Sequence, residues 1–224
     1  MKATALRRIR DFARHRKWLW IAGGVVVTSA VAVVIVAVIK TTEKHEPQTF
    51  QAGLNSAPAT VAVGADTPPP WPAPVDVTGA VRAAGLPMLG SEGQVEHIHV
   101  HLDVVVDGHP VQVPAGIGID PVHRAISPLH THDTSGVIHI ESPVQRRFSL
   151  GEFFSEWGVS LSADNIGALR AAGGKTLRAY VNGTLRTGNP AAITFEPHDE
   201  IDLIYGVPQA DETPSARFDF LRGD

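Results

Sequence analysis

Two stretches in which apolar residues alternate with histidines and carboxylates limit what this chain can fold into. The first is Glu96-His97-Ile98-His99-Val100-His101-Leu102-Asp103, which runs on through Val104 to Val106. In an extended strand, successive side chains leave on opposite faces. Ile98, Val100, Leu102, Val104 and Val106 then share a core face, and His97, His99, His101 and Asp103 share the other. A helical period of 3.6 residues would not sort them. The second stretch is Val137-Ile138-His139-Ile140-Glu141, which sets His139 and Glu141 opposite Ile138 and Ile140. If the two strands pair and bury their aliphatic sides together, imidazoles and carboxylates collect on one surface. His130 and His132, in Pro128-Leu-His-Thr-His-Asp133, belong to a loop that can fold over that surface. Eight of the 11 histidines fall between His97 and His139, so no other region is as biased toward one chemistry.

Imidazole is the commonest protein ligand for zinc, copper, nickel and non-haem iron, and three or four histidines with a carboxylate make a usual ligand set. His99, His101, His130 and His132 are the first candidates, with His97 and His139 next. Asp103, Asp133 and Glu141 could ligate or orient the rings. The chain has no cysteine, which excludes disulfides and thiolate sites and leaves zinc and Cu(II) as the leading metals. The alternative is a half-exposed sheet whose wet face is rich in histidine and binds nothing. His109, His123 and the pair His198-Asp199 fall in turn-like surroundings and read as solvated.

Charge is distributed unevenly. Residues 1–17 hold seven Lys or Arg and one acid, a net +6, whereas residues 91–224 hold nine basic and 18 acidic residues, a net −9. An acidic domain does not fit nucleic acid, which needs a basic footprint; it suits cations and solubility. Residues 18–39 run 22 residues without a charge, enough for a helix to cross a hydrocarbon core of ~30 Å. The run opens on Trp18 and Trp20, at interfacial positions, and closes on Ile39 without a small-residue cleavage site. An uncleaved single-pass anchor is therefore expected in the plasma membrane, in preference to a cleaved signal peptide. Its basic flank (1–17) would lie in the cytoplasm and everything beyond it would be extracytoplasmic.

Residues 40–90 read as a tether. Pro58, Pro68, Pro69, Pro70, Pro72, Pro74 and Pro87 interrupt a stretch rich in Ala, Thr and Gly without a sustained apolar period. Trp71 there reads as an incidental aromatic, with a docking peptide as the alternative, and residues 77–86 as a short lead-in. The folded domain is expected over 91–208, with a C-terminal tail at 209–224 that packs back or frays.

Within the domain, residues 95–106 predict a strand, Asp107-Gly108 a tight hairpin turn, and residues 114–119 a bend. Ser149-Leu-Gly-Glu152 is a capping box that opens a helix carrying Leu150, Phe153, Phe154 and Trp157, and Gly158 closes it. A second, weaker helix is expected over 162–172. Asn182-Gly183 predicts a hairpin, and residues 193–195 and 201–205 predict the last strands. The order gives an α+β domain with a small antiparallel or mixed sheet and one or two short helices. A helix crossing one face of such a sheet would be β-grasp-like.

His97-x-His99-x-His101-Leu-Asp103, the segment from Val113 to Ile119, and Pro128-Leu-His-Thr-His-Asp-Thr-Ser-Gly-Val-Ile-His-Ile-Glu141 together resemble a group of uncharacterised bacterial membrane-anchored proteins. Phe148-Ser-Leu-Gly-Glu-Phe-Phe-Ser-Glu-Trp-Gly158 is similar to part of the same pattern. The resemblance spans about residues 94–206 and implies no particular reaction. There is no His-Glu-x-x-His and no phosphate-binding P-loop. Ser135, close to His132 and Asp133, fits a turn better than a nucleophilic triad. The expected function is a membrane-anchored extracytoplasmic module that binds zinc or copper for sensing, storage or delivery. The alternatives are a metal-dependent hydrolase-like enzyme and a metal-free domain that meets an envelope protein partner.

Overall fold

The computed structural model describes residues 53–221. The expected cytoplasmic flank and anchor lie outside the described residues. Among the described residues, no helix is long and apolar enough to cross a membrane.

The domain is α+β. The strands are β1 (Glu96–Val106), β2 (His109–Pro110), β3 (Ile119–Asp120), β4 (Ala125–Ile126), β5 (Leu129–His130), β6 (Val137–Ser142), β7 (Asn165–Ile166), β8 (Leu169–Arg170), β9 (Thr176–Val181), β10 (Thr184–Arg186) and β11 (Glu200–Gly206). Among the described residues, the α-helices α1 (Val77–Ala83) and α2 (Leu150–Trp157) and a short 3-10 helix (Pro190–Ala192) accompany them. One seven-stranded sheet has the order β10-β9-β11-β1-β6-β5, with β2 paired to β1. β1 and β11 are parallel, and every other pair in this sheet is antiparallel. Asp107-Gly108 and Asn182-Gly183 turn with positive φ at both residues, as tight hairpins require.

The alternation in β1 does what its period demands. Val100, Leu102 and Val104 are buried in the core with Ile138, Ile140, Ile201 and Leu203 from the neighbouring strands. The capping box at Ser149 forms in both directions, and Gly158 ends α2 at φ 76°. All eight residues of α2 are buried, including Glu152, Ser155 and Glu156. A helix buried on its polar side needs a second cover.

That cover is the proline-rich segment. Leu54, Trp71, Val81, Ala84 and Leu86 belong to the core, so residues 53–89 are part of the folded unit and not a tether. Trp71 is 3% exposed and meets Trp157 edge-on at 5.8 Å. Its carbonyl accepts from Trp157 Nε1 at 3.2 Å. Val63 N donates to Ser155 Oγ at 2.9 Å, tying the segment to the helix's polar side. Too few apolar residues are present to fold this stretch alone, but α2 supplies the partner surface. Residues 162–172 form the β7–β8 hairpin in place of a helix. Ser162, Asp164 and Asn165 satisfy the backbone and one another locally, and Gly167 turns at φ 52° beside Thr67 O.

Candidate metal centre

The register of β1 against β6 fixes half of the site. His99 lies opposite His139 and His97 opposite Glu141, while Ile98–Ile140 and Val100–Ile138 face the core. A slip of one residue would exchange the faces and bury the imidazoles among leucines, so the core fixes the site.

The other half comes from β5 and the loop that follows it. Thr131 is wholly buried, and its hydroxyl donates to Pro114 O at 2.8 Å while accepting from Ile117 N at 3.2 Å. Thr131 N also donates to Ile117 O at 3.1 Å. With Thr131 held toward residues 114–117, its neighbours His130 and His132 both turn toward β6. The Gly-Ile-Gly bend is therefore the brace of the histidine loop. Gly118 has φ 72°, and a Cβ there would meet Leu129 O at 2.2 Å, so only glycine permits the approach.

Four imidazoles gather around one carboxylate, and a fifth, His132, adjoins His130. Glu141 Oε1 lies 3.4 Å from His97 Nε2, 3.9 Å from His99 Nε2 and 3.5 Å from His139 Nδ1. Glu141 Oε2 lies 4.0 Å from His130 Nε2. Oε2 is buried and has no hydrogen-bond partner among the described residues. His99 Nε2 and His139 Nδ1 are 2.9 Å apart, and the Nε2 atoms of His130 and His132 are 3.2 Å apart. Two nitrogens bound to one tetrahedral zinc at 2.0–2.1 Å would stand about 3.3 Å apart. Each pair can hold one shared proton, and His130–His132, close to that spacing, can instead hold an ion with little movement. His130, His132 and His139 could hold a metal ion, as could His97, His99 and Glu141, and also Glu92, His130 and Glu141.

Electrostatics suit a cation. Burial by itself would raise the Glu141 carboxyl, but the bond from His139 and the charges of His130 and His97 outweigh it and lower its pKa. Burial pulls His130 down to about 4, so its ring is neutral and ready to ligate near pH 7. The carbonyl of Ser127, 3.0 Å from His130 Nδ1, can only accept, so Nδ1 carries the hydrogen and Nε2 presents its lone pair to the cluster. Ser127 Oγ in turn donates to the Glu156 carboxyl inside the core. Burial raises Glu156 well above the usual range, favouring the neutral acid.

His101 and Asp103 are set apart from this cluster. His101 Nδ1 faces Glu200 Oε2 at 2.8 Å and Nε2 faces Ser135 O at 2.8 Å. A carbonyl and a carboxylate occupy both nitrogens, so the ring is committed as a donor twice. Burial lowers its proton affinity, but the bond and charge of Glu200 more than compensate, and the net shift is upward. Phe218 of the C-terminal tail stacks on the ring at 3.8 Å. Asp103 shares this second group with His101 and Glu200. Asp133 caps its own loop by accepting from Ser135 N at 2.8 Å. His123 is exposed and pairs with Asp120 at 2.7 Å, and His109 is exposed.

Sequence reasoning did not single out Glu92, whose Oε1 is 3.7 Å from His132 Nε2, nor Ser127, Glu200 and Phe218. Ser127 alone had a local signal, three residues before His130, where a main-chain carbonyl can reach back to a ring. Glu200 reaches His101 through the parallel β1–β11 pairing, across 99 residues of sequence. No family model matches this chain, and no curated protein or solved structure is significantly similar to it.

Proposed function

We propose that the chain is a membrane-anchored, extracytoplasmic module that binds a divalent ion, zinc or Cu(II), through His97, His99, His130, His132, His139 and Glu141. One observation carries this reading. A buried carboxylate oxygen without a hydrogen-bond partner among the described residues sits among imidazole nitrogens from three separate strands and a loop. Such an arrangement is costly unless a cation completes it. Residues 18–39 supply the anchor in this proposal, and the acidic domain faces the outside. The strand order, with the first and last long strands parallel at the centre and α2 crossing between them, supports a β-grasp-like topology. Sensing, storage or delivery of the metal fits an ion held near the surface.

A second reading has its own support. The side chains of His97 and His132 are 45% exposed, so an ion between them would have a solvent-facing side. An open side is what a metal-dependent hydrolase needs. The test of the principal reading is calorimetry of the full chain, stripped with a chelator and titrated with Zn2+ or Cu2+. Tight uptake that Glu141→Gln weakens at least tenfold is expected. No uptake of either ion would overturn the proposal and leave the metal-free interaction domain as the better account.

A further inference from the structure

The cluster holds more donors than one ion takes. Zinc is usually four-coordinate, yet five imidazoles and a carboxylate converge here, with Glu92 at the rim. They also fall into two sets of three, which touch through His99 and His139. His130, His132 and His139 form one group of three, and His97, His99 and Glu141 form another, and the two groups share no residue. In each, one ligand atom per residue lies within 4.8 Å of the others.

Glu141 faces both groups. Its Oε1 is turned to His97 and His99, at 3.4 and 3.9 Å, and also has His139 Nδ1 at 3.5 Å. Its Oε2 is turned to His130, at 4.0 Å, and is the buried oxygen without a hydrogen-bond partner. A third group, of Glu92, His130 and Glu141, places the same carboxylate on the His130 side. A carboxylate whose two oxygens address two separate ligand triads has the form of a bridge between two cations.

We infer that the module holds two divalent ions side by side, joined by the Glu141 carboxylate. One rests on His97 and His99 with Glu141 Oε1, and the other on His130, His132 and His139 with Glu141 Oε2. Carboxylate-bridged pairs of this kind stand about 3.5–4 Å apart. This rests on the proposed metal binding above and adds its stoichiometry and its bridging ligand. His97 and His132, the exposed rim of each half, give each ion its own route in from solvent.

The test uses the full chain, stripped with a chelator and reloaded with Cu2+ alone, with metal per chain measured after exhaustive dialysis. Two equivalents are expected. The electron paramagnetic resonance spectrum should be that of an isolated Cu(II) at one equivalent. At two it should become magnetically coupled, with intensity below that of two independent spins. His97→Ala and His132→Ala change rim residues outside the core, so the fold persists. Each is expected to leave one tightly held equivalent and an uncoupled spectrum. One equivalent in the unaltered chain would overturn the pair while leaving metal binding in place. So would two uncoupled spins, or loss of all copper from either single variant. No copper at all would overturn the pair, and no uptake of zinc besides would overturn the metal-binding reading as well.

Discussion

His130 gives the sharpest test of how the pocket is built, because its proton affinity can be read as fold stability. The ring is wholly buried, and burial pulls its pKa from 6.5 in the open chain to about 4. Ser127 O and the charge of Glu141 push the other way but do not win. The folded protein therefore resists a proton that the unfolded chain accepts below pH 6.5. Stability is lost as pH falls from 6.5 toward 4 and then levels off. A tenfold difference in proton affinity between the two states is worth about 1.36 kcal/mol. Between pH 7 and about pH 4.5 this ring alone should cost the metal-free fold about 2.5 kcal/mol.

Other groups titrate over the same range, so the measurement is a double difference. Urea unfolding of the full chain in chelator, at both pH values, is compared between the unaltered protein and His130→Gln. The substitution has its own cost, from the lost ring and the lost bond to Ser127 O, but that cost cancels between the two pH values. With a urea slope of about 2 kcal/mol/M, the unaltered chain should lose about 1 M more midpoint on acidification than the variant. A pH-dependent difference under about 0.5 kcal/mol would refute the reasoning. It would mean that solvent reaches the ring and that the loop does not lie closed over the sheet.

Three further outcomes follow from particular contacts. Trp71→Ala should cost about 3–5 kcal/mol in a thermal or urea melt, since the ring packs on Trp157 in the core; a tether residue would cost nothing. His101→Ala should lower stability by about 3 kcal/mol, by stranding the buried Glu200 carboxylate, yet leave the copper stoichiometry of the reloaded protein unchanged. Burial, with help from Glu200 and Asp103, raises the Asp202 carboxyl to about 6, so the fold disfavours its ionised form. Asp202→Asn should therefore stabilise the protein above pH 6, and the gain should disappear as pH falls through 6 toward 4, when the native carboxyl takes up its proton.

What the sequence revealed and what it hid divide along physical lines. The faces of β1 and β6, the capping box at Ser149 and the turns at Asp107-Gly108 and Asn182-Gly183 are local patterns, and local patterns dictate them. The convergence of His97, His99, His139 and Glu141 follows from the same alternation once two neighbouring strands pair. Which way His101 turns was not legible. It shares a face with His99, but β11 lies on that side of β1 and brings Glu200 opposite it. That pairing spans half of the domain and leaves no mark in the neighbourhood of either residue. The proline-rich segment misled for a related reason. Leu54, Trp71 and Val81 are too sparse to form a core by themselves, and only the buried polar side of α2 shows that something must cover it.

The pairs His99–His139 and His130–His132 link these observations to function. A hydrogen bond between two ring nitrogens 2.9 or 3.2 Å apart needs one proton between them, and two protons would set like charges against each other at that distance. At His130–His132 an ion can take that proton's place without moving the rings far, because ligand spacing and hydrogen-bond spacing nearly coincide. A neutral ring that yields one nitrogen to the ion keeps its hydrogen on the other and releases nothing; only a ring that starts as imidazolium gives up a proton. Metal uptake should then release more protons the lower the pH, and acid should expel metal by the same competition. Calorimetric titrations of the stripped chain in two buffers of different ionisation enthalpy, at about pH 8 and about pH 6, measure that release directly. Release per chain should be greater at the lower pH. Equal release at both would show that the ion does not compete with protons for these rings, and the ligands would have to be sought elsewhere.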